Sequence, residues 1–354
     1  MRELTIDGRR IADDEPAYVI AEIGHNHQGD LATAISCIRA AAASGTHAVK
    51  FQKRDVLNLY TPALLRQPYE NENSYGSTYG LHRLALELTC EQYVACRDVA
   101  LVEGVTFFAT AFDEASADLL MDVDVPAFKI ASGDLTNTPL LRHVATLGKP
   151  VIVSTGGATF ADVDRAVEML SRFTGAVALL HCTAAYPVRD FAELNLEAIV
   201  RMRAAYPNHV IGWSGHDSGI AMGIVAYALG ARIIEKHFTL NRAMKGTDHA
   251  FSLEPPGLKK LVRDLGRARL ALGDGEKRRY PSEDAPLRKM AKALVAVTDL
   301  PAGHVLRAYD LARKTPSDGL PPYLLDHVVG FTLSCAMAQD EPLTYAHLGG
   351  SHVA

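Results

Sequence analysis

Short apolar runs, rich in β-branched and aromatic residues, recur along the chain at 17–23 (AYVIAEI), 48–52 (AVKFQ), 105–110 (VTFFAT), 127–131 (AFKIA), 151–155 (VIVST), 177–182 (VALLHC), 210–214 (VIGWS) and 232–238 (RIIEKHF). These runs are near-continuous rather than alternating, the pattern of strands buried on both faces of a parallel sheet. Between them, 30–44, 89–103, 114–122, 137–147, 160–173, 192–205, 218–229 and 257–271 read as helices. Asp30 is placed to cap the first of these and Gly45 to end it. Thr89 followed by Gln92 has capping-box spacing. A strand followed by a helix, eight times over, predicts an α/β fold: a (β/α)₈ TIM barrel. An open doubly wound sheet is the structural alternative, but GHNHQG after the first run is not the GxGxxG of that fold.

Two stretches break the pattern. Residues 53–88 form a long, polar, Tyr-rich insertion (PYENENSYGSTYG) after the second strand, where long βα loops build the rim of a barrel site. Residues 273–289 are charged and carry Gly and Pro, as linkers do. The expected division is a barrel over 1–280, a linker over 281–289 and a small, mostly β domain over 290–354. At about 65 residues that last domain is marginal as an independent core, so it is expected to dock on a larger surface.

Composition narrows the class. With 48% apolar residues among 354, the chain can fill a large core. The balance of 36 basic and 41 acidic residues argues against a nucleic-acid-coating protein. No apolar run reaches about 18 residues, so no membrane partner is expected. MRELTIDGRRIADDEP has no apolar signal-peptide core. Cys37, Cys90, Cys96, Cys182 and Cys335 form no CxxC pair and read as reduced thiols of a cytoplasmic protein.

The chemistry lies where the strands end, since barrel sites form at the C-terminal face. Glu22, with Asn26 and His27 beyond it, follows the first strand; Lys50 and Gln52 close the second and Thr110 the third. Lys129, Ser132 and Asp134 follow the fourth, and Ser154 and Thr155 the fifth. His181, Thr183 and Tyr186 follow the sixth, Ser214 and His216 the seventh, and Glu235, Lys236 and His237 lie on the eighth. Alternation along a strand puts Lys50 with Gln52, and Glu235 with His237, on one face. Lysines inside a barrel require anions. Lys50 and Lys129, with the hydroxyls of Thr110, Ser132, Ser154 and Ser214, make a phosphate cradle. His216 and His237, on neighbouring strands, are candidate metal ligands, with His25, His27 and His249 also available. His82, His143 and His304 are left as surface or packing residues. Any single strand-end Ser or Thr reads as part of a satisfied polar network; the set from eight strand ends reads as a site.

At these motifs the sequence resembles a known family. AEIGHNHQGD (21–30), AVKFQK (48–53), FKIASGD (128–134), STGG (154–157), LLHCTAAYP (179–187), GWSGHDSGIA (212–221), EKHFTL (235–240) and KGTDHAFSLEP (245–255) together resemble the sialic acid synthases. The resemblance implies a barrel followed by an SAF (antifreeze-like) domain, and condensation of phosphoenolpyruvate with a mannosamine-type sugar. It implies phosphoenolpyruvate contacts at Lys50, Thr110, Lys129, Ser132, Ser154 and Ser214. It implies a divalent metal, Mn²⁺ foremost with Mg²⁺ or Co²⁺ as alternatives, on His216 and His237. Glu22, Gln52, Tyr186 and Glu235 are implied as catalytic residues and Asp248 as a sugar contact. A domain-swapped homodimer is implied as well. Ala184 after the HCT motif, and Lys314–Gly319 in place of an Arg-Pro-Gly turn, depart from many bacterial members. The KFQK, SGHD, KGTDH and SAF-turn details lean toward the animal-type branch, which resembles enzymes using 6-phosphorylated sugars. Free and phosphorylated acceptors both stay open, as do mannose and 2,4-diacetamido hexoses. A Schiff-base barrel aldolase on Lys129 or Lys50 is the alternative from another class, in which the two histidines stand idle.

Overall fold

The computed structural model describes residues 2–350 and divides the chain into two compact units, one ending at Gly273 and the other starting at Asp274. The division falls ahead of residue 280, where the sequence pattern places it.

The first unit is a closed barrel of eight parallel strands: β3 (Tyr18–Gly24), β4 (Ala48–Lys53), β5 (Thr106–Ala111), β6 (Phe128–Ile130), β7 (Val151–Ser154), β8 (Val177–Cys182), β9 (Val210–Gly215) and β10 (Ile233–His237). Two shorter strands, β1 (Glu3–Ile6) and β2 (Arg9–Ala12), precede them. Each barrel strand pairs with the next, and β10 closes on β3 with Ile233 opposite Tyr18 and His237 opposite Glu22. The apolar runs become strands because both their faces are covered, by the barrel interior and by the surrounding helices. Phe51, Phe108, Phe128, Ile152 and Ile233 are all fully buried. At about 1.5–3 kcal/mol for each large side chain taken from water, this core is the main term holding the barrel.

Local signals set most helix ends. Asp30 accepts the Thr33 amide at 2.7 Å to start the helix Leu31–Ala43, and Thr89 with Gln92 forms the capping box of Cys90–Val102. The expected helix over 192–205 is instead a 3₁₀ turn, Phe191–Leu194, then a helix, Glu197–Ala205; Asn195, at φ 40°, separates them. The insertion after β4 holds three short helices, Val56–Leu59, Pro62–Leu65 and Tyr79–Ala85. The last of these packs against the turn after β3, where Gly29, at φ +75°, would place a Cβ 2.0 Å from the Ala85 carbonyl oxygen. Only glycine suits that backbone and that approach.

The hairpin β1–β2 was not foreseen. Asp7 and Gly8, both at positive φ, form its turn, and Leu4, Ile6 and Ile11 join the barrel core. The Asp7 carboxylate accepts the hydroxyl of Thr106, at the start of β5, so the hairpin covers the end of the barrel opposite the site. Asp-Gly between alternating apolar residues was the available signal.

The second unit pairs β11 (Ala293–Ala296) with β12 (Leu311–Lys314) in antiparallel register around a core including Leu294, Leu306, Val328, Met337 and Leu343. Within the charged stretch read as a linker, Asp284–Met290 forms a helix, and Arg288 pairs with Asp318 at 2.6 Å.

Candidate active site

The strand ends open onto one cavity of about 650 Å³, bordered by Glu22, Lys50, Gln52, Thr110, Lys129, Ser132, Ser154, Tyr186, Ser214, His216, Glu235, His237 and Asp248. Every residue assigned a site role from the sequence reaches it. Barrel register produces this convergence: Lys50 faces Glu22, Thr110 faces Lys129, and Ser214 faces Glu235 across adjacent strands. Thr155 and His181 bear out the plainer reading. The Thr155 hydroxyl donates to the Leu180 carbonyl, and a His181 ring nitrogen lies 2.7 Å from the Leu194 carbonyl oxygen.

Lys50 and Lys129 form the floor and differ in their counter-charges. Lys50 Nζ lies 2.7 Å from Glu22 Oε2, 3.9 Å from Glu235 Oε1, and donates to Thr110 Oγ1 at 2.7 Å. Lys129 Nζ donates to Ser154 Oγ at 2.6 Å and to the Ile130 carbonyl at 3.0 Å, with no carboxylate oxygen of the described residues within 4.0 Å. Burial, reinforced by Lys50, pulls the Lys129 pKa down against the pull of Glu235. An ammonium held this way favours an arriving anion. Burial disfavours the Glu235 carboxylate, but Lys129, Lys50 and the Ser214 hydroxyl at 3.0 Å outweigh it and hold its pKa below the usual range. Glu22 accepts from Gln52 Nε2 at 2.7 Å, which fixes its carboxylate.

The rim carries the two histidines. Their ring centroids are 5.3 Å apart, and Tyr186 packs 4.1 Å from the His216 ring. His216 Nδ1 is 2.9 Å from the Thr183 carbonyl oxygen, so it carries the proton and leaves the lone pair on Nε2. Burial, then His237, pushes the His216 pKa down to about 3, so its imidazole is neutral across the physiological range. His237 Nδ1 is buried with no hydrogen-bond partner and lies 3.6 Å from Asp248 Oδ2. Despite burial, His237 and the Thr247 hydroxyl keep the Asp248 pKa low. Two imidazoles on one rim, His216 neutral and His237 with an orphaned buried nitrogen, suit a divalent cation.

The other available histidines are placed differently. His25 borders the cavity but is bonded to Arg54 at 3.1 Å. His27 packs on Phe51, and His249 Nδ1 pairs with the Thr239 hydroxyl at 2.7 Å. His82 is a packing residue, as read from the sequence: it is buried, its ring lies 4.5 Å from that of Tyr69 and its Nδ1 accepts the Tyr75 amide at 3.2 Å, and it also borders the cavity because Tyr79–Ala85 folds back over the barrel mouth. Arg54, Tyr75 and Arg83 also border it and were not foreseen. They lie in and beside the insertion, which carries no strand or helix periodicity to fix their direction.

Fold and site together define a (β/α)₈ enzyme with a cationic floor and a two-histidine rim at the mouth of its barrel. The chain belongs to the NeuB family, whose model matches residues 37–277, and residues 291–349 match the SAF domain. It is 35% identical over 337 residues to the human N-acetylneuraminate-9-phosphate synthase, covering 95% of this chain and 94% of that one. It is 36% identical over 330 residues to the N,N'-diacetyllegionaminic acid synthase of Campylobacter jejuni, covering 91% and 97% respectively. Among solved structures it is similar to the N-acetylneuraminic acid (sialic acid) synthetase of Leptospira borgpetersenii in complex with citrate. That match has a TM-score of 0.71 and 32% identity, over 81% of this chain and 95% of that one.

Proposed function

We propose that this protein is a sialic acid synthase: it condenses phosphoenolpyruvate with an N-acetylmannosamine-type sugar, free or 6-phosphorylated, and water. The products are N-acetylneuraminate, or its 9-phosphate, and inorganic phosphate. The observation that carries this reading is the meeting, in one cavity, of a lysine without a carboxylate partner and the paired imidazoles of His216 and His237.

In this reading Lys50, Lys129 and the hydroxyls of Thr110, Ser132, Ser154 and Ser214 hold the donor's phosphate and carboxylate. His216 and His237 hold a divalent cation, Mn²⁺ foremost, which polarises the aldehyde oxygen as a Lewis acid when bound. The residues align donor C3 with the aldehyde carbon, and such alignment can supply roughly 7–11 kcal/mol of the barrier in the best cases. C3 attacks, a C–C bond forms, and positive charge develops at donor C2. Glu22, fixed by Gln52, faces that charge. Water adds to C2, and Glu235, an ionised carboxylate, takes one of its protons and passes it to the alkoxide oxygen left from the aldehyde. The C2–O bond to phosphate then breaks, the C2 hydroxyl gives its proton to the departing phosphate as the keto group forms, and the lysines retain the released phosphate. Tyr186 and Asp248 orient the acceptor. We also propose that the enzyme works in the cytoplasm as a domain-swapped homodimer, which light scattering tests; none of its described helices is long and apolar enough to cross a membrane.

Phosphate release from phosphoenolpyruvate across a panel of hexoses tests the reading. Release that depends on N-acetylmannosamine or its 6-phosphate supports it. The identity to a diacetyllegionaminic acid synthase favours one second reading, the same condensation on a 2,4-diacetamido hexose, which the same panel separates. Mannose, giving the non-aminated acid, belongs in that panel too. Borohydride trapping of a carbonyl substrate on Lys129 or Lys50 would instead indicate a Schiff-base aldolase.

A further inference from the structure

Behind the two rim histidines lies a buried ion pair that the steps above do not use. The ladder between β9 and β10 ends where Lys236 meets Gly215, so His216 and His237 each sit one residue past the last paired position. His237 stays paired with Glu22 of β3, but no strand pairing joins it to His216. Lys236 spans the place where the ladder stops. Its Nζ donates to the Asp217 carbonyl oxygen at 2.5 Å and to Asp217 Oδ1 at 2.8 Å. Lys236, next to His237, and Asp217, next to His216, are each 1% exposed. Alternation along β10 turns Glu235 and His237 toward the cavity and Lys236 toward the helices, so the pair stands behind the histidines rather than among the groups that meet a ligand. The Lys236 ammonium also lies 5.4 Å from the ring centroid of Trp213. That indole folds back over Gly215, where a Cβ would fall 2.0 Å from the ring, so glycine leaves the room for it.

A buried pair is a poor way to hold a barrel together. Two charges taken out of water regain little over apolar side chains of the same size. What the pair adds is direction: one ammonium bonded both to a backbone carbonyl and to that residue's own carboxylate admits a narrow range of spacings between two segments. The neighbouring contacts hold each histidine to its own surroundings. The Val188 amide donates to the His216 carbonyl oxygen at 3.1 Å, and His216 Nδ1 lies 2.9 Å from the Thr183 carbonyl oxygen. The Leu253 amide donates to the His237 carbonyl oxygen at 2.7 Å. The bond from Lys236 to Asp217 ties the two segments to each other. We propose that Lys236 and Asp217 are positioning residues, a clamp that sets the separation of the His216 and His237 imidazoles before a divalent cation arrives. This inference rests on the metal assignment within the condensation reading and extends it to residues that touch neither cation nor substrate.

The test titrates Mn²⁺ into the full-length protein without substrates, reading Kd from the free-ion EPR signal, with Tm measured in parallel. The double variant Lys236→Met/Asp217→Val removes both charges together, so its Tm is expected to stay the same or rise. Its Mn²⁺ Kd is expected to be weaker by about 10- to 100-fold, the usual loss when a partner behind a metal ligand is removed. Asp217→Asn keeps the shape and the bond to the backbone carbonyl and is expected to lose less. A folded double variant that binds Mn²⁺ as tightly as the unaltered protein overturns the clamp and leaves the pair a purely structural role. Structures of the unaltered protein with and without Mn²⁺ test the same claim with no variant. The ring centroids, 5.3 Å apart, are expected to keep their separation within about 0.5 Å, and a larger rearrangement overturns a spacing set in advance. No Mn²⁺ binding by the unaltered protein overturns the metal assignment itself.

Discussion

Lys129 offers the sharpest separation between a structural and a binding role. Its ammonium is buried, bonded to Ser154 Oγ at 2.6 Å, and has no carboxylate oxygen of the described residues within 4.0 Å. In Lys129→Met, the ligand-free protein gives up a buried charge that nothing pairs directly, so its Tm is expected to stay the same or rise. The donor loses a charge-assisted hydrogen bond, which is worth about 1.5–3 kcal/mol, or roughly 10- to 100-fold in Kd. Thermal shift reads both effects. Phosphoenolpyruvate at about 100 times Kd should stabilise the unaltered protein by about 2.7 kcal/mol. For a unit of this size that corresponds to a rise of roughly 5–10 °C. At the same concentration the variant, with its Kd raised 100-fold, should gain only about 0.4 kcal/mol, a shift of about 1 °C. An undiminished shift in the variant would refute the cradle, and so would an equal loss of donor and acceptor binding by calorimetry.

Glu22→Gln keeps the shape that accepts from Gln52 but removes the charge facing donor C2. Its kcat should fall by about 100-fold or more while donor affinity holds, and a kcat unchanged within about threefold would exclude the electrostatic role. Exhaustive chelation should abolish turnover and Mn²⁺ should restore it; full activity after chelation removes His216 and His237 from the proposed chemistry. Acid stability should follow His27, which burial holds at a pKa of about 4. A histidine whose folded pKa lies below its unfolded value of about 6.5 leaves the folded state with fewer protons, so stability is complete above about pH 6.5 and falls toward pH 4. The loss should reach about 3 kcal/mol for His27. His27→Asn should flatten the Tm profile over that window, and an unchanged slope would count against the assignment.

What the chain announces in advance is unequal along its length. The eight strands are legible because burial on both faces leaves a near-continuous apolar run that ends in polar residues, so Glu22, Lys50, Lys129 and Glu235 could be placed from strand position alone. His216 and His237 follow from adjacent strands for the same reason. Arg54 and Arg83 were not found, since 53–88 has no period from which to read a direction. Their convergence depends on contacts such as Gly29 against the Ala85 carbonyl and the Gly246 amide donating to Asn73, which join segments far apart in sequence. The β1–β2 hairpin was legible in its Asp7-Gly8 turn, although its four-residue strands sit at the short limit of a readable alternation.

The most direct measurement is the mass of the product formed from phosphoenolpyruvate, Mn²⁺ and N-acetylmannosamine or its 6-phosphate, taken alongside phosphate release. The account predicts one nine-carbon sugar acid, phosphorylated or not according to the acceptor, for each phosphate set free. Phosphate released without any new carbon–carbon bond, or no turnover with any hexose acceptor, would contradict it.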